Sequence, residues 1–400
     1  MKNNILEKNH DKCTSCGICE AVCPKEAIKL YLNDEGFYQP KVDERKCINC
    51  GICKQTCIKF QIVENTNTNT NVEVYSAKNR NKDILKKSSS GGVSYELMKK
   101  CIEKGYKVVG VSYDYEGNIA ITKIVDNKIN LKQFFGSKYM QSYTVEALKE
   151  IIKNSKEKYA IFGTPCQIFS LSKYAERKKI RDNFLFIDIF CHGCPSLNLW
   201  KKYLESQKRI CDVNKFDEIE FRSKCHGWHE YGYKFYYKEN IKISDISKNE
   251  FNEIFFDKNV FNKACYGCKI RSNFDYCDIR LGDFWGKIYD NDLEGVSAVV
   301  LSTQKGKEIF KDIYEKFVIK EHFLNEVLVS QSCSKEHIEN KELREKILKL
   351  LKTDLSMEEI VKEYRKTYSL KKKIRKKIIN ILKKILSQSS ISKIRKNIHK

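Results

Sequence analysis

Two runs of four cysteines near the start of the chain constrain its fold more than any other feature of the sequence. Each run has the spacing C-x2-C-x2-C-x3-C, and the second begins 34 residues after the first. Gly17 and Gly51 give each run a tight loop, in which three thiolates can face one cluster while amide N–H groups point at its sulfurs. The repeat therefore predicts iron–sulfur chemistry in an internal duplication. The eight cysteines are Cys13, Cys16, Cys19, Cys23, Cys47, Cys50, Cys53 and Cys57.

This duplication resembles the bacterial two-cluster ferredoxin module, in which the last cysteine of each run ligates the cluster held by the other run. The resemblance implies a first set, defined as Cys13, Cys16, Cys19 and Cys57, and a second set, defined as Cys47, Cys50, Cys53 and Cys23. Ile58 stands where a proline is usual, whereas Pro24 keeps that proline in the first run. Two zinc sites are the alternative, but zinc knuckles pair cysteines across longer spacers. We therefore expect two 4Fe–4S clusters in residues 1–62.

The cysteine content of the whole chain favours redox or metal chemistry over disulfide bonds. The sequence has 18 cysteines in 400 residues. It begins without an apolar signal-peptide stretch, and no apolar run approaches the ~18 residues of a membrane helix. We therefore expect a cytoplasmic protein, and clustered thiols in that reducing compartment point to metal ligation.

The net charge of +23 does not predict a nucleic-acid partner. Only 12 of the 75 basic residues are Arg, the residue type that reads bases and binds phosphates bidentately. Twelve basic residues also fall in the last thirty positions, which contain no acid. We therefore expect a moderately basic folded body with a strongly basic tail.

Composition divides the chain into five segments. The polar tract "ENTNTNTNVEV" has no apolar periodicity and predicts a linker over residues 63–82. The ferredoxin domain, 1–62, then precedes a larger domain with parts at 83–155 and 156–335, and a helical basic tail at 336–400. The predicted fold class is α+β / α/β, with a mixed α/β domain after the small ferredoxin domain.

The start of the larger domain predicts a helix that begins in a small-residue loop. Val93, Leu97, Met98 and Cys101 have helical spacing, Gly105 follows as a stop signal, and "KVVGVSY" then predicts a strand. The sequence "SSSGG" precedes the helix, whose N-terminal N–H groups suit a phosphate. A well-capped helix that binds nothing is the alternative. Neither a P-loop nor a G-x-G-x-x-G motif occurs.

Two later apolar strands end in loops that carry cysteine. "KYAIFGTPCQ" ends at Cys166, and "NFLFIDIFCHGCPS" ends at Cys191, His192 and Cys194. Ligands of α/β sheets bind outside the carboxyl ends of the strands. Further along, "CYGC" could hold zinc, hold a cluster or form a disulfide with its two thiols. A third cluster built from several loops is therefore a candidate.

Six motifs in a fixed order are similar to those of the coenzyme F420 hydrogenase/dehydrogenase beta-subunit family, over roughly residues 1–330. They are "SSGG", "GSKYMQS", "FGTPCQ", "CHGCPS", "FRSK…GWHEYG" and "CYGCKIRSN…LGDFWG". The resemblance implies a domain that binds FAD and a 4Fe–4S cluster and passes electrons between a hydride-carrying substrate and iron–sulfur centres. The family includes plant reductases of chlorophyll derivatives and bacterial members associated with surface-polysaccharide genes, so membership does not fix the substrate.

The resemblance also implies site residues in the larger domain. The expected ligands of the third cluster are Cys166, Cys191, Cys265 and Cys268, with Cys194 and Cys277 as alternates. The expected FAD site consists of Ser90, Gly91, Gly92, Ser137, Lys138, Gly163, Thr164 and Pro165. His192 is a candidate proton donor and Lys138 a candidate cation beside reduced flavin, although a backbone-bonded histidine and a solvated lysine are the alternatives. Asp283 and Trp285 suggest a structural turn, and isolated thiols are expected at Cys101, Cys211, Cys225 and Cys333.

Together these features predict an iron–sulfur flavoprotein that converts between two-electron and one-electron transfer. The direction of flow stays open; the fused ferredoxin favours reduction of a small organic or deazaflavin substrate, in surface-polysaccharide biosynthesis if the family association holds. The alternative is a non-enzymatic relay subunit of a larger redox complex. A redox partner protein or ferredoxin would exchange electrons with the chain.

The last thirty residues form a candidate docking segment. Apolar residues recur there at helical spacing among lysines, which predicts an amphipathic, cationic helix. It would bind an anionic membrane surface, giving a peripheral position at the inner face, or dock on protein. The apolar residues are Ile374, Ile378, Ile381, Leu382, Ile385 and Leu386.

Overall fold

The computed structural model describes residues 3–8, 10–61, 72–245 and 249–368. The cysteine-rich start forms a small unit with two short helices, α1 (Ile18–Ala21) and α2 (Ile52–Thr56), and an antiparallel hairpin, β1 (Ile28–Leu32) and β2 (Tyr38–Val42). Gly17 and Gly51 precede the helices with φ of +81° and +75°. Only glycine adopts this backbone conformation without strain, so the two glycines set the turn that follows each leading pair of cysteines.

The larger domain alternates strands and helices. Its helices are α3 (Lys82–Lys87), α4 (Val93–Glu103), α5 (Val145–Lys153), α6 (Pro165–Arg177), α7 (Leu197–Cys211), α8 (Glu250–Phe256), α9 (Gln304–Lys311), α10 (Leu324–Leu328), α11 (Lys341–Leu350) and α12 (Met357–Lys366). Its strands are β3 (Glu73–Asn79), β4 (Lys107–Asp114), β5 (Ile119–Val125), β6 (Ser142–Tyr143), β7 (Tyr159–Phe162), β8 (Phe184–Ile189), β9 (Glu218–Ser223), β10 (Gly232–Tyr237), β11 (Asn240–Asp245), β12 (Ile279–Asp283), β13 (Ser297–Leu301) and β14 (Phe317–Glu321). The predicted mixed α/β fold class is confirmed, as are the helix after the SSSGG loop and the strands that end at the cysteine loops.

One mixed sheet organises this domain, with nine strands in the described part of the chain and the order β14-β3-β13-β12-β8-β7-β4-β5-β6. The central strands β12, β8, β7 and β4 are parallel, and antiparallel strands flank them. Residues 184–188 of β8 are all buried, as expected for a central parallel strand covered on both faces. The carboxyl ends of β7, β8 and β12 therefore lie side by side at one edge of the sheet.

The predicted linker at 63–82 is wrong over its second half. Residues 73–79 form β3, which pairs with β13 and β14 inside the large sheet, and Lys82 begins α3. Residues 62–71 lie outside the described part of the chain. The parts predicted at 83–155 and 156–335 also share this one sheet, since β4, β5 and β6 come from the former.

The segment predicted as a basic tail from residue 336 begins as part of the folded body. Helices α11 and α12 bury Ile347, Ile360 and Tyr364 in one apolar core with Phe251 and Ile254 of α8. The prediction of helix is confirmed there, whereas the prediction of a tail is wrong up to residue 368. The amphipathic segment from Ile374 onward lies outside the described residues. Within those residues, no helix combines the length and apolarity needed to cross a membrane.

The cysteine-rich unit packs directly on the larger domain. Ile18 and Ile28 share an apolar core with Ile151 of α5 and Ile168 of α6. The Thr144 hydroxyl donates a hydrogen bond to the carbonyl of Cys16 at 2.8 Å. Burial and polar contacts thus fix the unit against the elements that carry the strand-end cysteines.

Candidate iron–sulfur and cofactor site

The thiols of the first set share one buried space. Burial raises the pKa of Cys19 well above its usual range, and the neighbouring thiols of Cys16, Cys13 and Cys57 raise it further. Burial also raises the pKa of Cys13 to about 11 and that of Cys57 to about 12. Four buried thiols cannot all ionise without a compensating cation, and iron would supply that charge on ligation. The arrangement fits the cross-over of ligands that the ferredoxin resemblance implies.

The thiols of the second set line one cavity near the surface. Cys23, Cys47, Cys50 and Cys53 all border it, together with Asn4. The Asn4 side chain donates to the Cys47 sulfur at 3.5 Å, and the backbone N–H of Ala27 donates to the Cys23 sulfur at 3.3 Å. Hydrogen bonds to sulfur are a feature of iron–sulfur sites, where they tune the potential. Because Cys50 is exposed, this set faces solvent.

A third group of thiols forms at the carboxyl ends of β7 and β8. It is defined as Cys166, Cys191, Cys194, Cys265 and Cys268. Cys166 opens α6 directly after β7, and the loop with Cys191 and Cys194 follows β8. A turn at Lys263–Cys265 brings the "CYGC" motif to this loop, where the backbone N–H of Cys194 donates to the Cys265 sulfur at 3.3 Å.

Electrostatic interactions join the members of the third group. Burial raises the pKa of Cys166, and the thiols of Cys191 and Cys268 add to the rise. Burial likewise raises the pKa of Cys265, with Cys194 as the largest neighbouring contribution. Among the described residues, no three His, Cys, Asp or Glu side chains meet as they would around a single metal ion. The fit to a cluster therefore rests on the donor chemistry and common burial of these thiols.

Three of the remaining cysteines lie away from the third group. Cys277 is buried beside Asp188 and Arg280 and donates to the carbonyl of Phe274, so it does not join the third group. Cys101 is buried on α4, and Cys225 is exposed just after β9. Cys194 belongs to the third group as much as the four preferred ligands do, so five thiols are available for four ligand positions.

A buried ion pair supports the third group from below, and the sequence reasoning missed it. Arg280 of β12 and Asp188 of β8 are both fully buried, with Nη2 and Oδ2 2.6 Å apart. Arg280 also donates to the carbonyls of Arg271 and Asn273. Burial raises the pKa of Cys191 to about 11, while the nearby guanidinium groups oppose the rise. A charged residue inside each apolar strand, in "FIDIF" and "DIRLGD", was the available signal.

The first set and the third group are neighbours across helix α6. The Cys16 sulfur lies 3.5 Å from the Ser170 hydroxyl, one turn along α6 from Cys166. Cys16 is also among the thiols that raise the pKa of Cys166. The first set and the third group of thiols therefore adjoin each other, with the second set on the outer side.

The SSGG loop and the Ser137 loop, both part of the expected FAD site, come together, but part of their backbone is already hydrogen-bonded within the protein. The hydroxyl of Ser89 accepts a hydrogen bond from the backbone N–H of Ser137 at 3.0 Å. The N–H of Gly91 donates to the Ser297 hydroxyl and its carbonyl accepts from Asn79, both at 2.9 Å. A Cβ on Gly91 would stand 2.0 Å from the carbonyl oxygen of Ala77. The need for glycine at 91 therefore arises first from packing on the sheet.

The third loop expected to hold FAD serves as a helix cap. Thr164 and Gln167 form a capping box at the start of α6, and Pro165 occupies its first turn. Gly163 donates its N–H to the carbonyl of Ile187 at 3.1 Å. The Thr164 hydroxyl also lies 3.3 Å from the Cys166 sulfur. The loop thus orients Cys166 as well as opening the helix.

Lys138 and His192, the two residues predicted to be catalytic, both make their contacts within the protein. Lys138 donates to the carbonyls of Gln133 and Phe135, and burial lowers its pKa to about 7. Burial lowers the pKa of His192 to about 3, and its ring packs against Phe255 and Phe261. A histidine that is neutral at pH 7 has no extra proton to donate. The backbone contacts of Lys138 contradict the alternative of a solvated lysine, and the buried Nε2 of His192 has no hydrogen-bond partner among the described residues.

Asp283 and Trp285, predicted to form a structural turn, lie at the end of β12 with Arg222. The Arg222 guanidinium donates to Asp283 at 2.5 Å, and the Trp228 indole donates to the other carboxylate oxygen at 2.8 Å. Trp285 stacks on Trp228 with ring centroids 4.7 Å apart. Arg222 belongs to the "FRSK" motif, to which the sequence pattern alone assigns no role.

The thiol groups and the mixed sheet define an iron–sulfur redox protein of the electron-transfer type. Residues 12–60 match the family model of the 4Fe–4S dicluster domain, and residues 156–327 match that of the C terminus of the coenzyme F420 hydrogenase/dehydrogenase beta subunit. Over these residues the chain therefore matches the C-terminal part of the coenzyme F420 hydrogenase/dehydrogenase beta-subunit family, preceded by a dicluster domain. The predicted resemblance is confirmed.

Two individual proteins are similar over longer stretches. The coenzyme F420-dependent sulfite reductase of Methanocaldococcus jannaschii is 25% identical over 321 residues, which cover 74% of this chain and 45% of that protein. The chain therefore spans under half the length of this curated relative. A solved chain of the F420-reducing NiFe hydrogenase complex from Methanosarcina barkeri, studied as a xenon derivative, is 18% identical, with a TM-score of 0.46. That match covers 76% of this chain and 94% of the solved chain.

Proposed function

We propose that the chain is an FAD-dependent iron–sulfur oxidoreductase that passes electrons between its dicluster domain and a small organic or deazaflavin substrate. The contact of Cys16 with helix α6, which carries Cys166 in its first turn, supports the proposal. It supports a continuous path from the second set through the first set to the third group. The exposed Cys50 end of the path suits a redox partner protein or a ferredoxin.

The cluster assignments follow from the proximity of the thiols within each group. The first and second sets would each hold one 4Fe–4S cluster. In the third group, Cys166, Cys191, Cys265 and Cys268 remain our preferred ligands, because the Cys194 backbone N–H donates to the Cys265 sulfur. That hydrogen bond suits Cys194 as a supporting residue beside a ligand.

The FAD assignment rests on the loops around Ser89 and Ser137. The N-terminus of α4 and the Ser137 loop meet there, and a helix N-terminus favours a phosphate. Bound FAD would exchange electron pairs as hydride and single electrons with clusters. Ser90 and Gly91 hold the loop on β13, while Gly92 sets the turn into α4. A place in surface-polysaccharide biosynthesis extends the proposal on the family resemblance alone, and the neighbouring genes test it.

A relay without its own substrate is the second candidate. The engagement of Lys138 and the burial of neutral His192 favour it, because neither predicted catalytic side chain is free to react. The match to a family named for subunits of hydrogenases and dehydrogenases also suits a relay. Turnover by the isolated protein would separate the two.

The experiment compares electron transfer in two single-cysteine variants under anaerobic conditions. Oxidised holoprotein is mixed with reduced ferredoxin, and the flavin and cluster absorbance are followed in a stopped-flow instrument. Cys166→Ala should leave dicluster reduction intact and slow flavin reduction, because the third group joins the dicluster domain to the FAD loops. Cys101→Ala, another buried thiol, is the matched control and should behave as wild type.

The possible results separate the proposals. Equal rates of flavin reduction in Cys166→Ala and wild type would contradict the proposed electron path through the third group. Absence of FAD from reconstituted wild type would leave only the relay. For the segment beyond residue 368, we propose docking on a protein or an anionic membrane; equal sedimentation of intact and 369–400-truncated protein with anionic vesicles would remove the membrane option.

A further inference from the structure

A bulge in the three-stranded sheet places one arginine in an unusual position. Strand β9 pairs with β10 with a register shift opposite Arg222. Arg222 itself has φ of +57°, in the left-handed region that non-glycine residues seldom adopt. Bulges of this kind re-aim side chains and are frequent next to active sites. The bulge and the strained backbone therefore set the direction of the Arg222 side chain, and with it the contacts that this side chain makes.

Arg222 is only 5% exposed, yet much of its hydrogen-bonding capacity is unused. Its Nη1 donates to Asp283. Its Nε and Nη2 have no well-formed hydrogen bond within the described ranges 3–8, 10–61, 72–245 and 249–368, although the Tyr139 hydroxyl is near. Nε and Nη2 form the side-on edge of the guanidinium, whose two parallel N–H groups match a carboxylate or a phosphate.

The surroundings of this edge are aromatic and also hold unused donors. The guanidinium carbon lies 4.2 Å from the ring centroid of Tyr231 and 5.3 Å from that of Trp285. In the described residues the buried hydroxyls of Tyr233 and Ser223 also lack partners, and Arg222 interacts electrostatically with Tyr233. A buried donor left unpaired is unfavourable, so a ligand that satisfies several of these donors would be stabilised.

The contacts of Arg222 and its neighbour Lys224 reach towards both parts of the proposed redox site, the third group of thiols and the FAD loop. Asp283, its partner, ends β12, which is parallel to β8 and its cysteine loop. Lys224, two residues on, donates to the carbonyl of Ser90 in the SSGG loop at 2.7 Å. Arg222 therefore contacts the end of β12 directly and adjoins the FAD loop through Lys224.

We propose that the Nε–Nη2 edge of Arg222 binds a carboxylate or phosphate of a planar substrate, whose ring packs against Tyr231 and Trp285. The inference rests on the proposed function, since it names the substrate class of that site. Arg222 is then a binding residue, and the Asp283 carboxylate is a positioning residue that holds the guanidinium in place.

The experiment uses anaerobic holoprotein and calorimetric titration with three probes: benzoate, the neutral isostere benzamide, and inorganic phosphate. We expect wild type to bind benzoate or phosphate, and to bind benzamide at least about tenfold more weakly than benzoate. Arg222→Lys keeps the charge beside Asp283 but lacks the bidentate edge, and should weaken oxyanion binding by about tenfold. Arg365→Lys is the control, because the Nε–Nη2 edge of Arg365 is already occupied by Glu253 at the surface.

Iron and flavin contents of each variant distinguish failure of this inference from failure of the proposed function. Benzoate binding without phosphate binding assigns a carboxylate, and the reverse assigns a phosphate. Equal oxyanion binding by Arg222→Lys and wild type would overturn the proposal, and so would wild type that binds neither anion. Loss of flavin from Arg222→Lys, with normal iron, would overturn the assignment to substrate. Absence of flavin from every variant would instead contradict the proposed function.

Discussion

The dicluster unit and the third group of thiols contrast two ways of assembling cysteines. In the dicluster unit, eight cysteines lie within 45 residues, and short turns at Gly17 and Gly51 orient them. In the third group, Cys166 and Cys191 meet because β7 and β8 are parallel neighbours, and Cys268, more than one hundred residues after Cys166, joins them from a separate loop. The first arrangement depends on local turns, and the second depends on the whole sheet.

The contrast extends to what lies around the thiols. The second set faces solvent and receives hydrogen bonds from Asn4 and the backbone near Ala27. The third group is buried above the Arg280–Asp188 ion pair. We therefore expect the dicluster to tolerate changes in the larger domain, whereas the third group should respond to changes in the sheet.

The largest effect should come from removing two thiols of the third group together. With three 4Fe–4S clusters, the holoprotein holds about twelve irons, and Cys265→Ser with Cys268→Ser should lose about four of them. The electron paramagnetic resonance signals of the dicluster should stay unchanged, because its ligands all lie before residue 58. Iron analysis of anaerobically reconstituted protein measures the loss, with Cys225→Ser as an exposed control.

Equal iron contents in this double variant and in wild type would show that the third group holds no cluster, which would contradict the proposed contrast between the two regions. A result of mainly zinc in wild type would contradict the iron–sulfur assignment of both regions. Loss of iron from Cys194→Ser alone, without loss from Cys166→Ser, would exchange these two residues in the ligand set.

The same contrast explains what the sequence could predict. The dicluster spacing and the apolar strands that end at Cys166 and Cys191 are local patterns, so both could be recognised. Strand β3 could not, because its polar Glu73, Ser76 and Lys78 gain their strand conformation from pairing with β13 and β14. Tertiary pairing overrode local preference there.

Local sequence patterns also could not predict which side chains contact each other across the sheet. Arg222 faces Asp283 only because β9 bulges beside the end of β12, 61 residues later in the chain. The sequence predicts helices α11 and α12 as part of the basic tail. Their buried side chains, among them Ile347 and Ile360, pack against the core on α8, and only this tertiary contact shows that the helices belong to the folded body.

A second prediction concerns the ion pair under the third group. Arg280→Met leaves Asp188 buried without its partner, and breaking a fully buried pair costs about 3–5 kcal/mol. We expect a clear fall in the thermal unfolding midpoint of the larger domain and weaker retention of the third cluster. Lys82→Met removes an exposed pair with Glu294 and should cost no more than about 1 kcal/mol.

Circular dichroism and iron analysis on the same samples would check this prediction. Equal midpoints for Arg280→Met and Lys82→Met would contradict the idea that the third group depends on the sheet beneath it. If the dicluster lost iron as readily as the third group, the two regions would not differ in the way proposed.

The smallest effect concerns Gly91 and tests whether the FAD loop is fixed by its own packing. Gly91→Ala places a methyl group 2.0 Å from the carbonyl oxygen of Ala77, so β3 and the loop must separate. Overpacking of this kind costs about 1–3 kcal/mol whether or not FAD is bound. Gly163→Ala is the matched control, because its methyl group would meet mainly the flexible Gln167 side chain at 3.2 Å. Unfolding midpoints of the flavin-free and flavin-loaded forms separate the two origins: packing on the sheet lowers both midpoints equally, whereas a requirement of the cofactor lowers only the loaded one. A normal unfolding midpoint for flavin-free Gly91→Ala, with loss of FAD, would instead show that Gly91 is required for FAD binding, as the SSGG motif predicts.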